Sequence, residues 1–242
     1  MSMKLFTNNR VVFYASIFLQ LVITAGCSED TSSKELEKIS GVEPGYYLQS
    51  KYIDNVRATL STIEATVPDT PQFLAIFNRD GKLFLRTIFG FREGGAEFYI
   101  NSDGSLNTKL AAGYKTNNVS LVSVGNNKIK FGFDTFNPTE YVKIDNAELF
   151  VESIVLAGKY QDKNGRHYMF GDDGVAKYPN KSFHYKIGLD HTGAPFDYIS
   201  ITESGDIVAF KRSTDSLTLW ETTTADLPKI IESTKLVLRK IK

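Results

Sequence analysis

The chain has 242 residues, and its 28 Lys plus Arg balance 28 Asp plus Glu, so the formal charge is zero. That balance excludes a strongly basic nucleic-acid binder and a highly charged disordered chain. Hydrophobic residues at 42% supply a core, and 12 Tyr with 17 Phe against a single Trp suit aromatic-rich strands. The length allows one large domain or two small ones of roughly 100–150 residues each.

Residues 1–10 (MSMKLFTNNR) carry Lys4 and Arg10 and no acid, and residues 11–26 run without a charge. A basic n-region ahead of an apolar h-region predicts a secretory signal over residues 1–26. The uncharged run is short for a membrane span, which needs about 20 residues. An uncleaved anchor helix is the alternative.

Cys27, the only cysteine, directly follows Thr24-Ala25-Gly26. These residues at the end of an h-region resemble the lipobox of bacterial lipoproteins, with Thr24 standing where the family usually has Leu or Val. The resemblance implies cleavage just before Cys27 and lipidation of its thiol. Acyl chains of the palmitate kind would then be the contact with the membrane, each buried CH₂ contributing about 0.8 kcal/mol. Ser28, not Asp, follows the cysteine, which by resemblance implies the outer membrane of a Gram-negative cell, facing the periplasm. Glu29-Asp30 resembles the acidic surface-export tag of Bacteroidota lipoproteins, so the cell surface is the alternative. Loss of Lys4 and Arg10 leaves the mature chain at a net charge of −2. It has no second cysteine, so an exported domain must fold without disulfides, and 216 residues are enough for that.

Residues 27–44 read as the lipidated Cys27 and a polar tether, with Ser32-x-x-Glu35 as a capping box for one short helix. From Gly45 the pattern changes to apolar and aromatic runs separated by compact turns. Asn78-Arg79-Asp80-Gly81, Asp103-Gly104, Gly125-Asn126-Asn127, Asn164-Gly165, Asp173-Gly174 and Ser204-Gly205-Asp206 carry the Gly and Asn that primed hairpin turns demand. Between them lie strand-like runs at 73–77, 83–89, 97–100, 119–124 and 128–133. The second half adds runs at 166–170, 183–189, 198–201, 206–210, 217–220 and 235–241. Helix signals occur around Asp145–Glu152 and around Asp226–Ser233, with Pro228 in the first turn of the latter.

Each half opens with Gly-x-Tyr, at Gly45-Tyr46-Tyr47 and Gly158-Lys159-Tyr160. Residues 95–104 also line up with 165–174, and 119–125 with 199–205. Duplication and the generic likeness of two meanders both account for these matches. A meander of about eight strands avoids exposed edges by closing. The expected fold is therefore an all-β antiparallel meander in two tandem small barrels or sandwiches, over 45–155 and 156–242, with one or two short helices. A Gly-x-aromatic opening into a meander resembles lipocalin-type barrels, with Tyr where those usually carry Trp.

Chemistry is sparse. His184 and His191 with Asp190 and Asp197 are of types that suit zinc, yet their spacing fits no ligand pattern, so no metal and no cofactor are expected. There is no G-x-S-x-G elbow, and Arg92-Glu93-Gly94-Gly95 lacks the strand–loop–helix context of a phosphate loop. The expectation is a non-enzymatic binding module, most of all for another protein, as an immunity or inhibitor protein would be. A carrier of an apolar small ligand and a structural envelope component are the alternatives; a nucleic-acid partner is not expected. Candidate contact residues are Phe196, Tyr198 and His191 in the stretch 190–198 (DHTGAPFDY), and Arg92 in the stretch 90–95. Loops on a rigid β scaffold are common places for recognition.

Overall fold

Hairpin turns set the architecture. At Arg79-Asp80-Gly81-Lys82 the two central residues have φ of +53° and +73°, and Arg79 pairs with Lys82, which makes a two-residue primed turn. Gly165, Gly174 and Gly205 turn the chain with φ between +73° and +78°. The computed structural model describes residues 42–89, 91, 93–101, 106–107, 119–125, 127–133, 137–191, 194–224 and 227–242. The signal, Cys27 and the tether up to residue 41 lie outside the described residues, as does Arg92.

The first unit contains β1 (Gly45–Gln49), α1 (Ser50–Thr59), β2 (Phe73–Arg79), β3 (Lys82–Phe89), β4 (Glu93–Ile100), β5 (Leu106–Asn107), β6 (Val119–Gly125), β7 (Lys128–Phe133) and β8 (Thr139–Ile144). Its strands form an eight-stranded sheet in the order β5-β4-β3-β2-β1-β8-β7-β6, with every pair antiparallel. The first strand thus pairs with the last, and the ring stays open between β5 and β6. Its inner side packs Tyr47, Leu74, Ile76, Leu85, Phe98, Ile129, Phe131 and Tyr141.

Helix α2 (Ala147–Val155) leads into the second unit. Asn146 caps it, its side chain accepting from the Leu149 N–H, which fits the helix signal around Asp145–Glu152. The second unit comprises β9 (Gly158–Gln161), β10 (His167–Phe170), β11 (Val175–Tyr178), β12 (Lys181–Ile187), β13 (Tyr198–Ile201), β14 (Ile207–Arg212), β15 (Ser216–Glu221) and β16 (Leu236–Ile241). It is a closed antiparallel barrel in which β16 pairs with β9. The chain is therefore all-β with two tandem barrel-like units, one open and one closed, and two short helices. A helix around Asp226–Ser233 is not found; a 3-10 turn at Glu232–Thr234 stands there instead. Thr222 bridges Ile230, and the Ile231 N–H bonds the Glu221 carbonyl, so the stretch extends the β15–β16 hairpin.

Strict alternation fills the barrel. Along β12, Phe183, Tyr185 and Ile187 are buried, and Ser182, His184 and Lys186 are exposed. Phe170 touches Tyr160, Tyr178 and Tyr185 through near-perpendicular ring contacts 5.5–6.1 Å between centroids, and Tyr178 meets Tyr168 and Phe183 at 5.0 Å. One barrel mouth is covered by the helices. Tyr52, Ile53 and Val56 of α1 and Val151 and Val155 of α2 belong to the same buried cluster as Tyr160, Phe170 and Ile199. None of the helices among the described residues is long and apolar enough to cross a membrane.

Candidate functional site

The β12–β13 connection, described at residues 188–191 and 194–197, meets the helix-covered mouth through Leu189. Asp197 holds it there. Its Oδ1 accepts from the Thr62 N–H at 2.7 Å, the Thr62 hydroxyl at 2.7 Å and the Ile63 N–H at 3.1 Å. Thr62 lies after α1 and is fully buried, and Asp197 is 9% exposed. One carboxylate thus ties the α1–β2 connection of the first unit to the barrel of the second.

His191 completes the cluster, with Nε2 2.9 Å from the Thr62 hydroxyl oxygen. That hydroxyl has one proton and spends it on the carboxylate, the stronger acceptor. Nε2 of His191 must then donate, so the neutral ring carries its proton on Nε2. Its buried Nδ1 has no partner among the described residues. Burial pushes the His191 pKa below its ordinary value, while the charges of Asp197 and Asp190 pull it back up. Tyr52, 1% exposed, has a phenol oxygen without a partner among the described residues, and burial next to the Asp197 charge raises its pKa far above the usual range.

Tyr198 stiffens the other side of the connection. Its hydroxyl donates to the Asp190 carbonyl at 2.9 Å, and its ring lies against Gly188. A Cβ at Gly188 would fall 2.3 Å from that ring, so only glycine fits. The His191 ring meets Tyr198 edge-on at 6.1 Å. Pro195 is exposed and Phe196 half-buried. The structure therefore gathers His191, Phe196 and Tyr198 on one braced connection.

Thr62, His191 and Asp197 share the residue types of a hydrolytic triad but not its wiring. In a triad the imidazole sits between hydroxyl and carboxylate. Here the carboxylate takes the hydroxyl proton itself, and Thr62 is sealed from solvent. The arrangement is chemically a brace. His184 is turned elsewhere, its Nδ1 2.8 Å from Glu203 Oε1, and His167 stands beside Gln161. Of the four residues weighed for zinc, His191 and Asp197 share the Thr62 hydroxyl, while His184 lies with Glu203.

A second tie joins α2 to the barrel. Glu152 is fully buried, and its Oε1 accepts from the Ile187 N–H at 2.8 Å. Its Oε2 has no partner among the described residues. Burial pushes this carboxyl up to about 7, against the pull of the Ile187 N–H. Sequence reasoning passed over Thr62 and Glu152, because each acts on a partner at least 35 residues away, and no local pattern marks them. The chain matches no protein-family model and no curated protein.

Proposed function

We propose that the chain is a lipid-anchored envelope lipoprotein whose folded part binds another protein, without catalysis, through the surface around Pro195, Phe196 and Tyr198. The Asp197–Thr62 brace carries this reading. Held next to the tied Asp197 and Tyr198 on the barrel, Pro195 and Phe196 give up little entropy on binding, so their exposed apolar atoms are ready to dock. The anchor rests on Thr24-Ala25-Gly26-Cys27 and the apolar run before it. Lipidation at Cys27 would hold the protein at the outer membrane, in the manner of an envelope-located inhibitor or immunity protein.

A lipocalin-like carrier is the second reading, favoured by the closed eight-stranded ring and its Gly-x-Tyr opening. The aromatic side chains that occupy the barrel speak for the outer surface over the interior as the binding place.

The test compares wild type with F196A, both affinity-purified from the native cell envelope and weighed by native mass spectrometry. The expected result is a stoichiometric protein complex with wild type, lost in F196A at unchanged melting temperature. An unaltered complex in F196A removes this surface from consideration. A co-purifying small molecule in place of a protein turns the function to the carrier.

A further inference from the structure

The outer side of the barrel differs from its turns in the sign of its charge. Outward positions follow from the register, since paired residues share a face. Lys159 pairs with Met169 and Met169 with Lys177; Arg239 pairs with Gln161 and Gln161 with His167. Continued round the barrel, the same rule puts Lys186 and Lys211 outside. Among these outward strand positions every Asp, Glu, Lys or Arg is a cation. Apart from Glu221 at the end of β15, the unit's described carboxylates sit in turns and connections, as Asp162, Glu203 and Asp206 do.

Three of these cations gather on adjacent strands. Lys159, Lys177 and Arg239 are exposed and make no ion pair among the described residues. Lys159 and Lys177 flank Met169 across β9, β10 and β11, about 10 Å apart at two strand spacings. With His167 they line a shallow groove of about 350 Å³. Apolar side chains interleave with the charges: Val237 is 51% exposed, and Met169 and Ile241 are half-buried. Several cations of the first unit are instead held by carboxylates. There Arg79 and Arg86 share Glu97, Lys128 holds Glu140 and Lys143 holds Glu43.

We propose that the β16-β9-β10-β11 face of the barrel lies against the anionic headgroups of a lipid bilayer, with phosphate entering the groove between Lys159 and Lys177. Unpaired cations beside exposed apolar side chains suit an interface: ammonium groups reach phosphates while Val237 and Met169 enter the headgroup layer. The choice of a bilayer over a soluble anion rests on the proposed anchor at Cys27, which would keep the barrel near a membrane.

The test uses the full chain carrying C27S, so that its outcome does not depend on acylation. Flotation measures partitioning into phosphatidylcholine vesicles with and without 30% phosphatidylglycerol. Any contribution of residues 11–26 is present in every variant. Three cations at an anionic surface predict a preference for phosphatidylglycerol of about 100-fold, abolished in 1 M salt. K159E/K177E/R239E should lose it, and K186E/K211E/K229E, with the same net charge, should keep most of it. Equal partitioning into both vesicles overturns the proposal, as does equal loss in the two triple variants. Binding of immobilised polyglutamate with no lipid preference overturns it in favour of an acidic protein. Incorporation of labelled palmitate at Cys27 in the wild type tests the anchor separately.

Discussion

β1 and β9 start their units in the same way. Gly45 and Gly158 adopt φ of +149° and +153°, a region that side chains with a Cβ avoid. Two residues on, the Tyr47 hydroxyl donates to the Glu43 carbonyl at 2.7 Å, and the Tyr160 hydroxyl donates to the Leu156 carbonyl at 2.6 Å. Each tyrosine faces a lysine on the last strand of its unit, Lys143 and Lys240, whose aliphatic stem lies over the glycine. In both units the first strand pairs with the eighth. The difference comes at the fifth strand. Among the described residues β5 has two and forms no ladder with β6, whereas β13 has four and bonds both neighbours. One plan is therefore present as an open sheet in the first unit and as a closed barrel in the second. The barrel adds an arginine, Arg212, whose guanidinium lies 5.4 Å from the Tyr160 ring centre and donates to the Ser213 and Ser216 carbonyls.

Cutting the tie between the units should have the largest effect. D197A leaves the Thr62 and Ile63 N–H groups without their acceptor, and should cost about 3 kcal/mol in urea denaturation. The variant should also expose the α1–β2 connection to proteolysis before the barrel strands. Survival of full stability would mean that the units are held together by their shared apolar core alone.

E152Q probes the second tie and has a pH signature. The folded carboxyl titrates near 7 against 4.5 unfolded, so its contribution is fully present below 4.5 and is lost as pH rises through 7. Wild type should match E152Q at pH 4.5 and fall about 2 kcal/mol behind it at pH 8, as read from melts across that range. His191 works the other way: its depressed pKa means that stability is lost as pH falls below 6.5. Parallel stability curves for wild type and E152Q would refute the buried-carboxyl account.

The smallest effect is expected at the two tyrosine hydroxyls. Y47F and Y160F each remove one hydroxyl from the equivalent place, and each should cost about 1 kcal/mol. Similar values by chemical denaturation would mark the two openings as one motif used twice. A loss at Tyr160 alone would tie the motif's energy to the Arg212 contact.

Much of this plan was legible in the sequence. The glycine-bearing turns divided the second half into strands, since positive φ at Gly165, Gly174 and Gly205 leaves few alternatives. The Gly-x-Tyr pair identified equivalent strands. The other matches did not: residues 95–104 begin in β4, the fourth strand of its unit, while residues 165–174 span β10, a second strand. Likewise 119–125 is a sixth strand and 199–205 begins in a fifth. Alternation of apolar and polar residues recurs in any two-faced strand, so it matches out of register as easily as in. Helix α1 escaped because its N-cap, Gln49, makes no side-chain capping bond and its first turn has no acid. Its three buried residues, Tyr52, Ile53 and Val56, are too few to show a period. The brace was invisible for another reason: Asp197 and Thr62 lie 135 residues apart, and only the folded chain brings them together.

Barrel closure has a consequence for the order of events. β9 cannot complete its ladder until β16 exists, about 80 residues later in synthesis. Until then the second unit is a growing sheet with two bare edges, each able to accept a strand from another molecule. The pairing of most distant strands has to wait for the last one, and such non-local contacts are slow to form. Once β16 docks, both edges vanish in the same step. The Leu236–Ile241 strand is thus the moment at which a second unit open to misassembly becomes one with no edge left to offer.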